Sequence, residues 1–166
     1  MQRKWILFAG ILAAGVALDV LTKRWALAHL QPGFTVETLG GTVPLTLSFN
    51  RGIAFGLHLG PASRAVFTAV GLVVLVAVAL LYHATPAERR VRLLALALMC
   101  AGAVGNLVDR IVYPMGVVDF LGPFNLGFME WPIFNLADCF VTVGTITLAL
   151  ALAADRGHQR LDSRSL

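Results

Sequence analysis

Apolar positions in this chain gather into four long runs, at about residues 5–21, 65–83, 93–112 and 132–154. Each approaches the roughly 20 residues that a helix needs to cross a hydrocarbon layer. Between them lie two longer stretches, about 22–64 and 113–131, and the chain closes on a basic tail over 155–166. Four crossings put both termini on one side and both long stretches on the other. Within the first stretch, residues 34–49 alternate in part between β-prone and polar positions around Gly40-Gly41, which predicts a hairpin. The second holds Pro114, Gly116, Gly122, Pro123 and Gly127, too much punctuation for a helix. The first run ends near Ala26-Leu27-Ala28, a small-residue group that could mark a removable signal segment. Asp19, Lys23 and Arg24 stand between the apolar core and that group, so a retained helix is expected. The fold class expected is an all-α integral membrane protein, one membrane domain of four transmembrane helices with a small outer β-element.

Composition supports this reading. Of 166 residues, 58% are hydrophobic and 13% charged, whereas a soluble domain is about half apolar and a quarter charged. Disorder would require low hydrophobicity and high net charge, and mean hydropathy here is +0.79. The formal charge of +4 comes in small basic groups beside apolar runs, so no nucleic-acid partner is expected. Arg3, Lys4, Arg89, Arg90, Arg92, Arg156, Arg160 and Arg164 face only Glu88, Asp155 and Asp162, which assigns these segments and both termini to the cytoplasm. The opposite side carries Lys23, Arg24, Arg51, Arg64 and Arg110 against six acids. Trp5, Trp25 and Trp131 suit membrane interfaces. Cys100 and Cys139 lie in apolar runs and read as packing residues.

Ionisable residues at membrane depth are expensive, and each is a functional candidate. GNLVDR (105–110), GVVDF (116–120) and FNLAD (134–138) all converge on the outer face. A helix beginning at Pro132 would carry Asp138 roughly 9 Å inward. Asp119, in the loop joining the same spans, could approach it. Two close carboxylates share a proton, and such a pair can activate water and protonate a leaving amine. Plainer readings stand beside this one: an Asp109–Arg110 ion pair, an Asp19–Lys23 pair at i and i+4, Asp138 paired with an arginine, and Asn50, Asn106 and Asn135 bonding across helices. No zinc, CxxC, GxSxG or phosphate-loop motif is present, and no metal or cofactor is expected. A serine–lysine pair would need Lys23 with Ser48 or Ser63; a thiol mechanism at Cys139 would need His29 or His58. A proton-coupled transporter, an assembly subunit or a membrane scaffold are the competing classes.

Five blocks in order, DVLTK (19–23), FNRGIAFG (49–56), GNLVDR (105–110), VVDF (117–120) and FNLAD (134–138), resemble the lipoprotein signal peptidase (signal peptidase II) family of bacterial intramembrane aspartyl proteases. The resemblance covers nearly the whole chain. It implies catalytic aspartates at Asp119 and Asp138, with Asn50, Gly52, Asn106, Arg110 and Asn135 supporting the site or the substrate backbone. Asp19, Lys23 and Asp109 are further candidates. It also implies a small extracytoplasmic β-sheet cradle and a short outer helix. The expected substrates are diacylglyceryl prolipoproteins, cut before the lipidated cysteine by a monomer in contact with lipid in the bacterial inner membrane, with its site near the outer face. Cys139 stands where small residues such as Ser are familiar in this family, and Ile53 where a small residue is frequent.

Overall fold

The computed structural model describes residues 2–52 and 62–162, the side chains of 156–162 excepted. Four helices are long and apolar enough to cross a membrane: α1 (Gln2–His29), α2 (Ser63–Ala84), α3 (Arg90–Val112) and α4 (Leu136–Asp162, apolar to Asp155). Three helix ends differ most from the sequence expectation, one being the end of α4, which runs to Asp162 and so takes in much of the stretch expected as a tail. α1 continues to His29, through Asp19, Lys23 and the buried Ala26, because its two buried charged residues, Asp19 and Lys23, pair inside the bundle while Arg24 is exposed, so none of them interrupts the helix. α4 begins at Leu136, four residues after Pro132.

α3 is the central helix, packed by the other three. In its apolar stretch 44% of residues are buried, against 11–17% in the others, whose outward faces carry residues such as Val73, Leu80 and Leu150 exposed. Small residues set the helix spacing, as expected where lipid supplies no hydrophobic drive between helices. A Cβ on Gly102 would collide with the carbonyl oxygen of Ala137, and one on Gly105 would lie 2.5 Å from Asp19 Oδ2. At the end carrying the N-terminus, Lys4 Nζ donates to the carbonyls of His83 (2.8 Å) and Thr85 (2.7 Å), and Tyr82 donates back to the Lys4 carbonyl. A core of Val78, Tyr82, Leu93, Leu96, Ala97 and Cys100 lies behind this clasp.

The other end carries an antiparallel sheet, β1 (Thr35–Thr38), β2 (Val43–Asn50) and β3 (Val117–Leu121), in that order. β1 and β2 form the hairpin expected around Gly40-Gly41, closed by a 3-10 turn at Leu39–Gly41. Beyond that turn, residues 53–61 of the first outer stretch, including Ile53 and His58, lie outside the described residues. β3 is a strand where only a punctuated loop was expected. Gly116 admits it: its φ is +107°, and a Cβ there would strike the Asn50 carbonyl oxygen. The sheet rests on the end of α1 through Ala26, Leu30, Leu47, Val118 and Phe120. A second small hairpin, β4 (Phe124–Asn125) and β5 (Glu130–Trp131), leads into α4.

Candidate active site

The first turn of α4 is built by Asn135 and Asp138. The Asn135 side-chain oxygen accepts from the Asp138 amide at 3.0 Å, while Asp138 Oδ2 accepts from the Asn135 amide at 3.2 Å. This reciprocal cap satisfies two of the amides a helix start leaves open. Asp138 therefore sits in the first turn, at the positive end of the helix dipole, and not the roughly 9 Å inward that a start at Pro132 would give. The neighbouring Ala137 amide is held by Asp19 Oδ1 at 2.9 Å.

Backbone pairing brings Asp119 to the same place. In β3 it stands opposite Ser48 of β2, and Leu121, two residues on, exchanges hydrogen bonds with Phe134, directly before Asn135. One asparagine then bridges the carboxylates. Asn135, with no exposed surface, donates from Nδ2 to Asp119 Oδ1 at 2.6 Å, and also lies 3.0 Å from Asn106 Oδ1 and 3.3 Å from the Val118 carbonyl. Asn106 in turn donates from Nδ2 to Asp138 Oδ1 at 2.7 Å. Asn50 hydrogen-bonds Asp119, and its own side-chain oxygen accepts the Gly52 amide at 3.0 Å.

Lys23 is the hub beneath these groups. Its buried ammonium lies 2.7 Å from Asp19 Oδ2, 2.9 Å from Asp109 Oδ2 and 3.0 Å from Asn106 Oδ1. The last contact fixes which way the Asn106 amide faces, leaving Nδ2 for Asp138. Asp109 also accepts the Val118 amide at 3.0 Å, tying α3 to β3. The expected Asp19–Lys23 pair is present. Asp109 pairs with Lys23 and not with its neighbour Arg110, whose guanidinium reaches the Asn106 carbonyl (3.3 Å) and the Gly52 carbonyl (3.5 Å). The paired Lys23 ammonium is no free base for a serine, and His29 is engaged by the Trp25 carbonyl and stacked on its ring.

Asp119 and Asp138 both face a cavity of about 830 Å³ between the sheet, the α4 approach and α4 itself. Asn50, Gly52, Asn106 and Arg110 share its wall; Asn135, Asp19, Lys23 and Asp109 stand behind it. The two aspartates differ in setting. Burial and the nearby Asp138 carboxylate push Asp119 up to about 7 from the ordinary 3.8, against the opposing pull of Asn135, Asn50 and Lys23. Sequence reasoning had Ser48 only as a possible nucleophile and Trp131 only as an interface residue, and did not place them, Pro132 or Ile133 on the wall of this cavity. Ser48 was within reach, since it stands two residues from Asn50 on one strand and so on the same face. Cys139 also lines the cavity, half-buried.

A family model described as Signal peptidase (SPase) II matches residues 11–154. A lipoprotein signal peptidase of Moorella thermoacetica is 39% identical over 146 residues, covering 87% of this chain and 91% of its own length. That of Clostridium novyi is 35% identical over 142 residues, covering 86% and 94%. A solved bacterial membrane enzyme, determined by the in meso method at 2.3 Å resolution, superposes with a TM-score of 0.81 at 28% identity over 92% of this chain and 90% of that one.

Proposed function

The chain belongs to the signal peptidase II family, and from that premise we propose that it is an aspartyl endopeptidase with Asp119 and Asp138 as its dyad. Its substrates are prolipoproteins already carrying a diacylglyceryl group on the cysteine, and it cuts the peptide bond just before that residue. The observation that carries this reading is the pair itself: two carboxylates from separate elements, bridged by Asn135 and Asn106, opening onto one cavity.

The unequal settings supply the roles. Asp138 accepts from the Asn106 side chain and the Asn135 amide at a helix N-terminus, which hold its carboxyl oxygens as acceptors at the cavity wall. Asp119 is buried and holds the shared proton near neutrality. Asp138 takes a proton from a water that attacks the scissile carbonyl, while Asp119 hydrogen-bonds that carbonyl oxygen and stabilises it as charge develops. The proton taken from water then passes to the leaving nitrogen as the C–N bond breaks. Because coupled carboxyls titrate together, the dyad as a whole carries one proton in its working state. Arg110, Asn50 and Gly52 line the rim where the extended substrate backbone lies. The protein sits in the bacterial inner membrane with both termini cytoplasmic, so that dyad and sheet meet water at the outer interface, where a lipid-bearing substrate is held.

The test is cleavage in nanodiscs, resolved by gel shift, on a diacylglyceryl-modified and an unmodified proprotein. The wild type should cut only the modified one. Asp119→Asn and Asp138→Asn, each checked for folding, should lose on the order of 10³-fold in rate. Full activity in either variant overturns the dyad, and a folded wild type that cleaves nothing favours transport or scaffolding.

A further inference from the structure

At the end of the bundle opposite the dyad, a second cavity of about 600 Å³ opens between the start of α3 and the face of α4 from Thr147 to Asp155. Arg89, Arg90 and Arg92 line it together with Glu88 and Asp155, and Val91, Leu150 and Ala151 form an apolar wall. The charge runs against the helix. A helix N-terminus carries about half a positive charge and favours anions, yet α3 has no acid in its first turn and its cap residue, Arg89, gives no side-chain cap. Three guanidinium groups crowd there instead. Asp155 of α4 answers two of them, with Arg89 Nη1 2.6 Å from Oδ1 and Arg92 Nη2 bonded to Oδ2. Arg90 pairs with no acid among the described residues, and Arg92 Nε is buried without a hydrogen-bond partner. Cation therefore exceeds anion in a cleft that already has room for a ligand.

We infer that this cleft binds an anionic phospholipid by its headgroup phosphate. Guanidinium forks match phosphate oxygens in bidentate geometry, and basic pockets between membrane helices suit such headgroups. The cleft lies at the right level, because Lys4 and the exposed Trp5 ring of α1 mark the same end of the bundle. Acyl chains have a track beside it along Val91, Leu94 and Leu150, 56%, 43% and 66% exposed. A zwitterionic headgroup fits less well, since its own ammonium would meet the arginines. Bound there, the lipid adds a counter-charge to the Asp155 clasp between α3 and α4, independently of the dyad.

The test is native mass spectrometry of the full chain in neutral detergent, titrated with phosphatidylglycerol, phosphatidylcholine or inorganic phosphate. One saturable phosphatidylglycerol site is expected, with phosphatidylcholine roughly tenfold weaker and inorganic phosphate not saturating over the same range. Arg90→Gln and Arg92→Gln should each weaken phosphatidylglycerol about fivefold, while Arg3→Gln, an exposed cation at the same end but outside the cleft, leaves it unchanged. Equal loss from Arg3→Gln would reveal diffuse surface attraction and overturn the site. Phosphatidylcholine binding as tightly as phosphatidylglycerol, or inorganic phosphate saturating the same arginines, would overturn the lipid assignment. Arg92→Gln also releases Asp155, so the exposed Arg90 carries the decision. Arg90→Gln retains cleavage activity, which keeps a failure of this site distinct from a failure of the dyad.

Discussion

Asp119 governs how the protein responds to pH. Between the ordinary carboxylate value of 3.8 and about 7, the folded chain holds a proton on Asp119 that the unfolded chain has released. This contribution to stability is fully present below about pH 4, declines as pH rises toward 7 and is gone above it. At about 1.4 kcal/mol per pH unit, the decline amounts to roughly 4 kcal/mol. Thermal unfolding in detergent should therefore show a falling midpoint between about pH 4 and 7, and Asp119→Asn should flatten that slope. Turnover should fall above about pH 7 as the dyad gives up its last proton, and a rate still rising at pH 9 would contradict the roles given to the pair. Cys139 borders the cavity, but the proposed chemistry runs through water. Cys139→Ser should keep cleavage within a few-fold of wild type, and a loss beyond about a hundredfold, of the size a missing catalytic group gives, would point to the thiol.

The elements show where local sequence signals suffice and where they do not. The apolar runs and the Gly40-Gly41 hairpin were legible because each depends on residues close in sequence. β3 was not: its five residues carry an aspartate between two glycines, and its partner strand lies some seventy residues earlier. The start of α4 was misplaced because Pro132 resembles a first helical residue, although the Asn135 and Asp138 spacing of a reciprocal cap stood in the same block. The five blocks pointed to both aspartates and to the asparagines beside them, and the structure brings these residues together. Asp109 was a candidate in the same blocks, expected to pair with Arg110; its pairing with Lys23 was not legible, since only the packing of α1 on α3 brings them near. That packing has a narrow tolerance. Gly105→Ala would press a methyl group against Asp19, whose other oxygen holds the Ala137 amide beside Asp138. Overpacking of this kind costs about 1–3 kcal/mol, so both the thermal midpoint and the cleavage rate should drop; an unchanged rate would show that Asp19 does not position the first turn of α4.

Taken whole, the molecule buries one polar cluster, around Lys23, within otherwise apolar packing, and its outward helix surfaces are apolar. The buried face of α1 reads Gly15, Asp19, Lys23 and Ala26, while the helix surfaces turned outward are valine and leucine. Exchanging Lys23 for Met would leave Asp19 and Asp109 buried with no cation between them, a loss of about 3–5 kcal/mol. Lys23→Met combined with Asp19→Asn should recover part of that stability in thermal unfolding, and a double variant less stable than the single one would argue against a charge origin. The same ammonium bears on how the chain is made. Lys23 and Asp19 belong to one helix, four residues apart, so α1 leaves the ribosome with a counter-charge already beside its buried ammonium. Asp109 arrives on α3 later, to a cation already in place. A circular permutant that began with α3 would offer that acid to the lipid before its ammonium had been synthesised, so the order of translation is itself part of what makes this core attainable.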